Sequence, residues 1–531
     1  MERRRIAFAL AGLTALGLSV RLWFFFAFDN SFSWESEPYS KINLVYTWLA
    51  LGKPYPDTNF GPLHTWLIWL VAWSFEDKVT PIRLLSVVCG AATIPVFFAA
   101  MRRPFGDRIG LAAAALFASY PLHVRASATS LAESPYTLFF LIGLAAFLIH
   151  DEREDRSFGW LALSAAALTA GSMLRFESWL FYPVFALLAL RRGFARAVGY
   201  GALLAVFPLV HMFICWKVSG DPLSFGKTSA RTFALYLPQM PLAYRATGWF
   251  VCFWQVLAPA VALLAPVGMV WAMLSRRGGT VAALFAFPYL FMSVRTLKGL
   301  MDPSLLRYAI IVAALLIPFA AAAIWALARR ISAAGAGTMS TERAGALAAV
   351  IVALVTPANL AWAYAQSIDN ALPPEVFEAS AYLRDHVGEA ERVLLDKRFH
   401  PVFVIESRKN PERMLNLDYV GEPITDWDRY AELARKFHPL AYLDGREVDW
   451  GRDIKLYGRA AYEDLMARER PAWLVLDYES AGNIQAFPIP PTHAEAEIDG
   501  RRLTRAWRKG DFAIFRIAYP DEPETSPEPK P

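Results

Sequence analysis

The chain has 531 residues, 56% of them hydrophobic, and a formal net charge of +5. Residues 1–370 hold 48 of the 101 charged residues, about 13% of their positions, whereas residues 371–531 hold 53, about 33%. A soluble domain carries roughly a quarter, so the first part is too apolar for water and the second is not, and disorder of the whole chain is excluded. The charge divides at the same border, +12 before it and −7 after it, so the whole-chain surplus is no argument for nucleic-acid binding. The three cysteines, Cys89, Cys215 and Cys252, lie in apolar runs and exclude a disulfide framework or a Cys-rich metal site.

A helix crossing the hydrocarbon needs about 20 apolar residues. The first such run is 6–28, after Met-Glu-Arg-Arg-Arg. Its charge pattern is like that of a signal peptide, but it is long and bulky and lacks a small-residue cleavage site, which predicts an uncleaved anchor. A large structured loop, about 29–80, follows. It carries Asp29, Glu35, Glu37 and Tyr39, then a short apolar segment at 62–75 with His64, Trp66, Trp69 and Trp73. That segment reads as an interfacial or re-entrant helix, and 39–51 as a second one.

Ten further spans are predicted at 81–101, 110–125, 131–149, 158–174, 176–190, 197–218, 247–274, 279–293, 304–327 and 345–366, which makes eleven. With a cytoplasmic N-terminus, the cytoplasmic loops contain Arg102, Arg103 and Arg108, Arg153 and Arg156, Arg191, Arg192 and Arg196, Arg276 and Arg277, and Arg329 and Arg330. Each fits the positive-inside rule. The expectation is a multi-pass protein of the cytoplasmic (inner) membrane with its C-terminal part outside the cytoplasm. The domains are a membrane domain, 1–368, a soluble extracytoplasmic α/β domain, 369–519, and a disordered end, 520–531. Within the soluble part, 376–387, 427–437 and 458–469 read as helices, and 392–396, 401–406, 473–477 and 511–517 as strands.

On this topology the unusual polar residues share the outer face. They are Glu35 and Glu37; His123, Arg125 and Glu133 around the third and fourth spans; Arg175 and Glu177 at the turn after the fifth; and Lys298, Asp302, Arg307 and Tyr308 near the tenth. Ionised groups beside hydrocarbon are costly unless paired or hydrated. Converging cations suit a phosphate, and a carboxylate among them suits proton abstraction from a hydroxyl. Each residue also has a plainer reading. Glu35 and Glu37 are equally what a solvated loop would carry, and Ser130 to Glu133 has capping-box spacing. Arg175 and Glu177 would close a tight turn as a local ion pair. Arg307 would snorkel from a helix end, and His64 and His123 would be interfacial hydrogen-bonders. No His-Glu-x-x-His, Cys-pair or EF-hand spacing marks a metal, and no Gly-rich loop marks a nucleotide. A divalent cation on Glu35, Glu37 and Glu133 is not predicted, although those carboxylates are the ones that could hold it.

At these residues the chain resembles the polytopic GT-C glycosyltransferases of the protein O-mannosyltransferase and lipid A aminoarabinose transferase type. The stretches that carry the resemblance are Arg21-Leu-Trp, Glu35-Ser-Glu37-Pro-Tyr39, Leu51-Gly-Lys-Pro-Tyr55-Pro-Asp57, Gly61-Pro62-Leu63, Arg83 to Gly90, Arg125 to Tyr136, Arg175-Phe-Glu177 and Arg307-Tyr308. The resemblance implies an inverting transfer of sugar from a polyprenyl-phosphate donor to a lipid, glycan or protein acceptor, with membrane lipids around it, no nucleic acid and no required cofactor. It implies a carboxylate base in the first external loop. The family's base commonly sits in an Asp-Glu pair a few residues before a Tyr. Alignment on Tyr39 puts Ser36 on the Asp, where it cannot act as a comparable base, and Glu37 on the Glu; a two-residue local shift makes Glu35 the base instead. It further implies an acidic role for Glu133 and contact of Arg307, helped by Arg125 or Lys298, with the donor phosphate. Tyr39, His64, His123, Arg175, Glu177 and Tyr308 complete the expected substrate-binding set. A transporter or flippase, or a non-catalytic assembly factor, remains as an alternative; neither paired repeats nor midplane helix breaks favour transport.

Overall fold

The structure is a computed structural model and describes residues 2–28, 41, 42, 45, 61–75, 79–152, 158–224, 237–334, 341–369, 372–396, 399–410, 413–417, 466–478 and 487–521. Glu35, Glu37 and Tyr39 lie outside these residues, as do the predicted helix 427–437 and residues 522–531. The chain forms two compact units, one built from the apolar helices up to residue 369 and one from the helices and strands after residue 372.

The first unit begins with α1 (Glu2–Ala27), α2 (Pro62–Ser74), α3 (Thr80–Phe105), α4 (Asp107–Ala118), α5 (Pro121–Ser127), α6 (Glu133–Glu152) and α7 (Phe158–Leu174). A 3-10 turn (Phe176–Phe181) leads into α8 (Tyr182–Ala189), α9 (Phe194–Ser219), α10 (Leu242–Leu257), α11 (Pro259–Leu274) and α12 (Gly279–Leu297). A second 3-10 turn (Leu306–Ala309) precedes α13 (Ile310–Ala314), α14 (Ile317–Ala334) and α15 (Thr341–Asp369).

Six helices among the described residues are long and apolar enough to cross a membrane, or up to nine if each bent pair is one span. The protein is thus a polytopic helical membrane protein, with a smaller set of long helices than the eleven runs expected. Proline accounts for much of the difference. It lacks an N–H and clashes with the preceding turn, so an apolar run can be continuous in sequence and broken in space. The run 110–125 is divided before Pro121 into α4 and α5, bent by 56°. The run 247–274 is divided before Pro259 into α10 and α11, bent by 117°, with Ala258 at φ 64°. Near Pro318, residues 304–327 bend by 46°. Residues 158–174 form a helix of 17 residues, and 176–190 a 3-10 turn followed by eight helical residues. The segment 62–75 is the 13-residue helix α2, about 20 Å long and too short to cross.

The second unit contains α16 (Pro374–His386), β1 (Val393–Asp396), α17 (His400–Ser407), β2 (Met414–Leu417), β3 (Trp473–Asp477), β4 (Glu495–Ile498), β5 (Arg501–Lys509) and β6 (Phe512–Ala518). They form a six-stranded mixed sheet in the order β2-β1-β3-β6-β5-β4, parallel across β2-β1-β3 and antiparallel across the rest. β3 is buried along its whole length, which explains its unbroken apolar reading Trp-Leu-Val-Leu. One face packs Leu394, Leu474, Leu476, Leu503, Phe515 and Ile517 into a common core.

The expected strand at 401–406 is instead the helix α17. Its β-branched residues reflect all-round burial of 402–405 rather than a pleat, and Pro401 starts the first turn, where its missing N–H costs nothing. Of the expected helix 458–469, residues 466–469 are described and are helical. β5 carries no apolar alternation strong enough to announce it, because five of its nine residues are basic.

Candidate functional site

The site is assembled on α3. Arg83 is buried; its Nε donates to the Ala128 carbonyl at 3.0 Å and its Nη2 to Phe25 O at 2.7 Å and Phe28 O at 3.2 Å. It therefore satisfies carbonyls left over at the ends of α1 and α5. One turn along, the Ser86 hydroxyl donates to Leu131 O at 3.4 Å, and the Ser134 hydroxyl donates to Ser86 O at 2.6 Å. The connection 128–132 is thereby fixed to α3 and delivers Glu133 as the first residue of α6.

Glu133 is fully buried and forms an ion pair with Arg175 Nη1. Arg175 turns its other edge to Glu177, with Nη2 donating at 2.6 Å and Nε at 3.1 Å, a bidentate pair. The Arg175 guanidinium also lies 5.3 Å from the ring centre of Tyr308, and Arg307 lies 5.7 Å from the same ring. Five of the expected residues, Glu133, Arg175, Glu177, Arg307 and Tyr308, thus come together from α6, the turn after α7 and the turn before α13. Burial lowers the proton affinity of Arg175, but the adjacent Glu133 and Glu177 outweigh it, and the net shift is well above the ordinary guanidinium value. Arg175 stays charged and is committed to two carboxylates. The accessible members are Glu177, 20% exposed, and Arg307 and Tyr308, both half-buried. Glu133 does not act in a capping box, since α6 starts at Glu133 itself and its carboxylate goes to Arg175.

His123 and Arg125 are not part of this group. His123 Nδ1 accepts from Arg21 Nη2 at 2.9 Å, which puts the ring proton of a neutral imidazole on Nε2. The ring stacks on Tyr120, with Phe117 4.7 Å away. Arg21 Nη1 donates to Gly17 O at 2.9 Å and to Ala118 O at 3.2 Å, at the end of α4. Gly90 makes room for this arrangement: a Cβ there would lie 2.8 Å from Arg21 Nε and 2.2 Å from Ser127 Oγ. His123, expected to contact substrate, is fully buried and holds Arg21. Arg125 is buried and donates to Gln366 Oε1 at 2.8 Å. His64 is buried on α2, and Lys298 is exposed at the end of α12.

Arg83, Ser86, Ser134, Arg21 and Gly61 were not among the expected site residues. Arg21 stood out as a charge inside an apolar run, which is itself a signal of function or structure, and in the stretch Arg21-Leu-Trp. Gly61 precedes α2, and a Cβ on it would lie 2.4 Å from Met173 O and 2.7 Å from the Leu174 carbonyl carbon. The chain leaving the first large loop therefore seats directly on the backbone before Arg175, an approach that only glycine permits. Among the described residues, no group of three or more His, Cys, Asp or Glu is arranged to hold a metal ion.

The profile of the family described as dolichyl-phosphate-mannose-protein mannosyltransferase matches residues 56–216, which include Gly61, Glu133, Arg175 and Glu177. No curated protein sequence matches. The structure of ArnT from Cupriavidus metallidurans bound to undecaprenyl phosphate is similar with a TM-score of 0.60 at 13% identity, over 95% of this chain and 98% of that one. An oligosaccharyltransferase from Archaeoglobus fulgidus tethered to an acceptor peptide is similar with a TM-score of 0.55 at 12% identity, over 90% of this chain and 70% of that one. The oligosaccharyltransferase AglB of the same organism, in complex with an inhibitory peptide and a dolichol-phosphate, gives 0.52 at 12% identity, over 98% and 75%. The helical bundle followed by a β-containing domain is therefore the GT-C fold, over nearly the whole chain.

Proposed function

We infer that the protein is an inverting glycosyltransferase that moves a sugar from a polyprenyl-phosphate donor to a lipid, glycan or protein acceptor. The observation that supports this most strongly is the similarity along 95% of the chain to a structure that holds undecaprenyl phosphate. The buried Glu133–Arg175–Glu177 group lies inside the segment matched by the mannosyltransferase family profile. On this reading the N-terminus is cytoplasmic, the C-terminal domain is extracytoplasmic, and transfer takes place at the outer face of the membrane.

The reaction is a single displacement. Glu35 or Glu37 accepts the proton of the acceptor hydroxyl while its oxygen attacks the anomeric carbon. The bond from that carbon to the phosphate oxygen breaks, and polyprenyl phosphate leaves with the electron pair. Arg307 is the cation for this phosphate, because it is half-exposed beside Tyr308, whereas Arg175 is held by two carboxylates and Arg125 is buried against Gln366. Lys298 is a second, exposed cation for the same group. Phosphate leaves without protonation, so the second carboxyl acid of a glycosidase is not needed. Glu177, fixed by Arg175, is placed to bond sugar hydroxyls, and Tyr39 and His64 complete the substrate contacts.

The test supplies purified protein with a panel of labelled polyprenyl-phosphate sugars and a membrane extract as acceptor source. The expected result is transfer by the wild type, with loss in Glu35→Gln, in Glu37→Gln or in the double variant. Absence of transfer from every donor, together with donor movement between leaflets of a vesicle, would favour a flippase instead.

A further inference from the structure

The C-terminal sheet concentrates positive charge on β5, which carries Arg501, Arg502, Arg505, Arg508 and Lys509. Three of these have carboxylate partners: Arg502 with Glu495 at 3.3 Å, Lys509 with Glu378 at 2.5 Å, and Arg501 with Asp499 at 4.0 Å. Among the described residues, Arg505 and Arg508 have none.

A β-bulge brings these two together. β5 pairs with β6 as Arg505 with Phe515, then resumes as Trp507 with Ile514 and Arg508 with Ala513. A step of three residues therefore replaces the usual two, and Arg505 and Arg508 occupy successive positions on one face. Both guanidiniums donate to the same acceptor, the Pro491 carbonyl; Arg505 Nη1 does so at 2.7 Å. The Arg508 guanidinium also lies 5.8 Å from the ring centre of Tyr478. A carbonyl oxygen has two lone pairs, so one neutral atom holds two like charges side by side. Each fork retains further N–H groups. A tetrahedral anion with several oxygens can bridge two such forks and relieve their repulsion, which one carboxylate does less completely.

We propose that Arg505 and Arg508 form a binding site for a phosphoryl group, carried on a lipid headgroup or free in solution. The site is independent of the glycosyl-transfer reading, since it is built from β5, the turn before β4 and Tyr478 after β3, all in the second unit. It is selective by construction: the neighbouring cations are neutralised and these two are not.

The experiment uses the full chain in a neutral detergent. It is titrated by calorimetry with inorganic phosphate, with dihexanoyl phosphatidic acid and, as a zwitterionic control, with dihexanoyl phosphatidylcholine. The expected result is saturable binding of phosphatidic acid, of inorganic phosphate, or of both. Binding weakens at least tenfold in R505Q/R508Q and is unchanged in R502Q. The variant R505K/R508K keeps the charge and removes the fork; it is expected to weaken binding several-fold and guards against a folding defect in the first pair. Binding of phosphatidic acid alone identifies a headgroup site, and equal binding of inorganic phosphate identifies the phosphoryl group itself as the ligand. Absence of binding, undiminished binding in both double variants, or an equal loss in R502Q would overturn the proposal.

Discussion

Arg21 and Arg175 are both buried guanidiniums in the helical bundle, and their surroundings differ in kind. Arg175 lies between Glu133 and Glu177 and beside Tyr308. Arg21 has no carboxylate among the described residues; its partners are two backbone carbonyls and His123. The first arrangement sets opposite charges against one another between the start of α6 and the turn after α7. The second uses a cation as a multi-pronged donor to close a broken helix, because Ala118 lies just before Pro121 and its carbonyl needs a donor from elsewhere. Charge inside an apolar bundle thus serves two purposes, and the partner decides which.

The largest effect should come from Arg175→Met, which leaves Glu133 fully buried without its cation. Breaking a buried pair in this way costs about 3–5 kcal/mol. Equilibrium unfolding in mixed micelles should show this loss, and transfer per folded molecule should fall by about 10²-fold through misplacement of Glu177. The double variant Glu133→Gln/Arg175→Met should recover part of the stability and none of the activity. Full additivity of the two losses would break the claim that they act as one unit.

Arg21→Met should cost less, about 1–3 kcal/mol for the unsatisfied Ala118 carbonyl and the lost bond to His123. Activity per folded molecule should stay close to that of the wild type. An activity loss as large as that of Arg175→Met would erase the distinction between the two regions. Gly61→Ala tests the link between them and the first large loop. The added methyl meets Met173 O, and overpacking of this kind costs about 1–3 kcal/mol. A lower kcat with an unchanged donor KM would mark the seat as positioning, whereas equal kcat would mark it as packing alone. The smallest effect belongs to Ser127→Ala, which removes the hydroxyl bond to His123 O and should cost about 1 kcal/mol, seen in unfolding and not in transfer.

The border at residue 370 and the clustering of polar residues were legible because charge density and charge sign are read position by position. Glu133, Arg175, Glu177 and Arg307 are legible as members of a larger outer-face set, because each charge breaks an apolar pattern near a predicted span end; that these, with Tyr308, come together is not legible. The arrangement of the spans was less legible. Pro121 and Pro259 divide runs whose hydropathy is continuous, and hydropathy alone does not register a missing N–H. The bond of His123 to Arg21 is not legible in the sequence for a related reason: the two residues are 102 positions apart in the chain. α17 reads as a strand in the sequence because full burial and β-branched residues occur in both element types over eight residues. β5 escaped notice because its stabilising features are cross-strand pairs and a bulge, which have no local signature.

The measurement that bears most directly on the account is a single-turnover assay with a labelled polyprenyl-phosphate sugar. It follows release of polyprenyl phosphate in the wild type, Arg175→Met and Arg21→Met, each normalised to folded protein. The account predicts release by the wild type and Arg21→Met and its loss in Arg175→Met. Undiminished release by folded Arg175→Met would contradict it, as would the absence of release by the wild type with every donor.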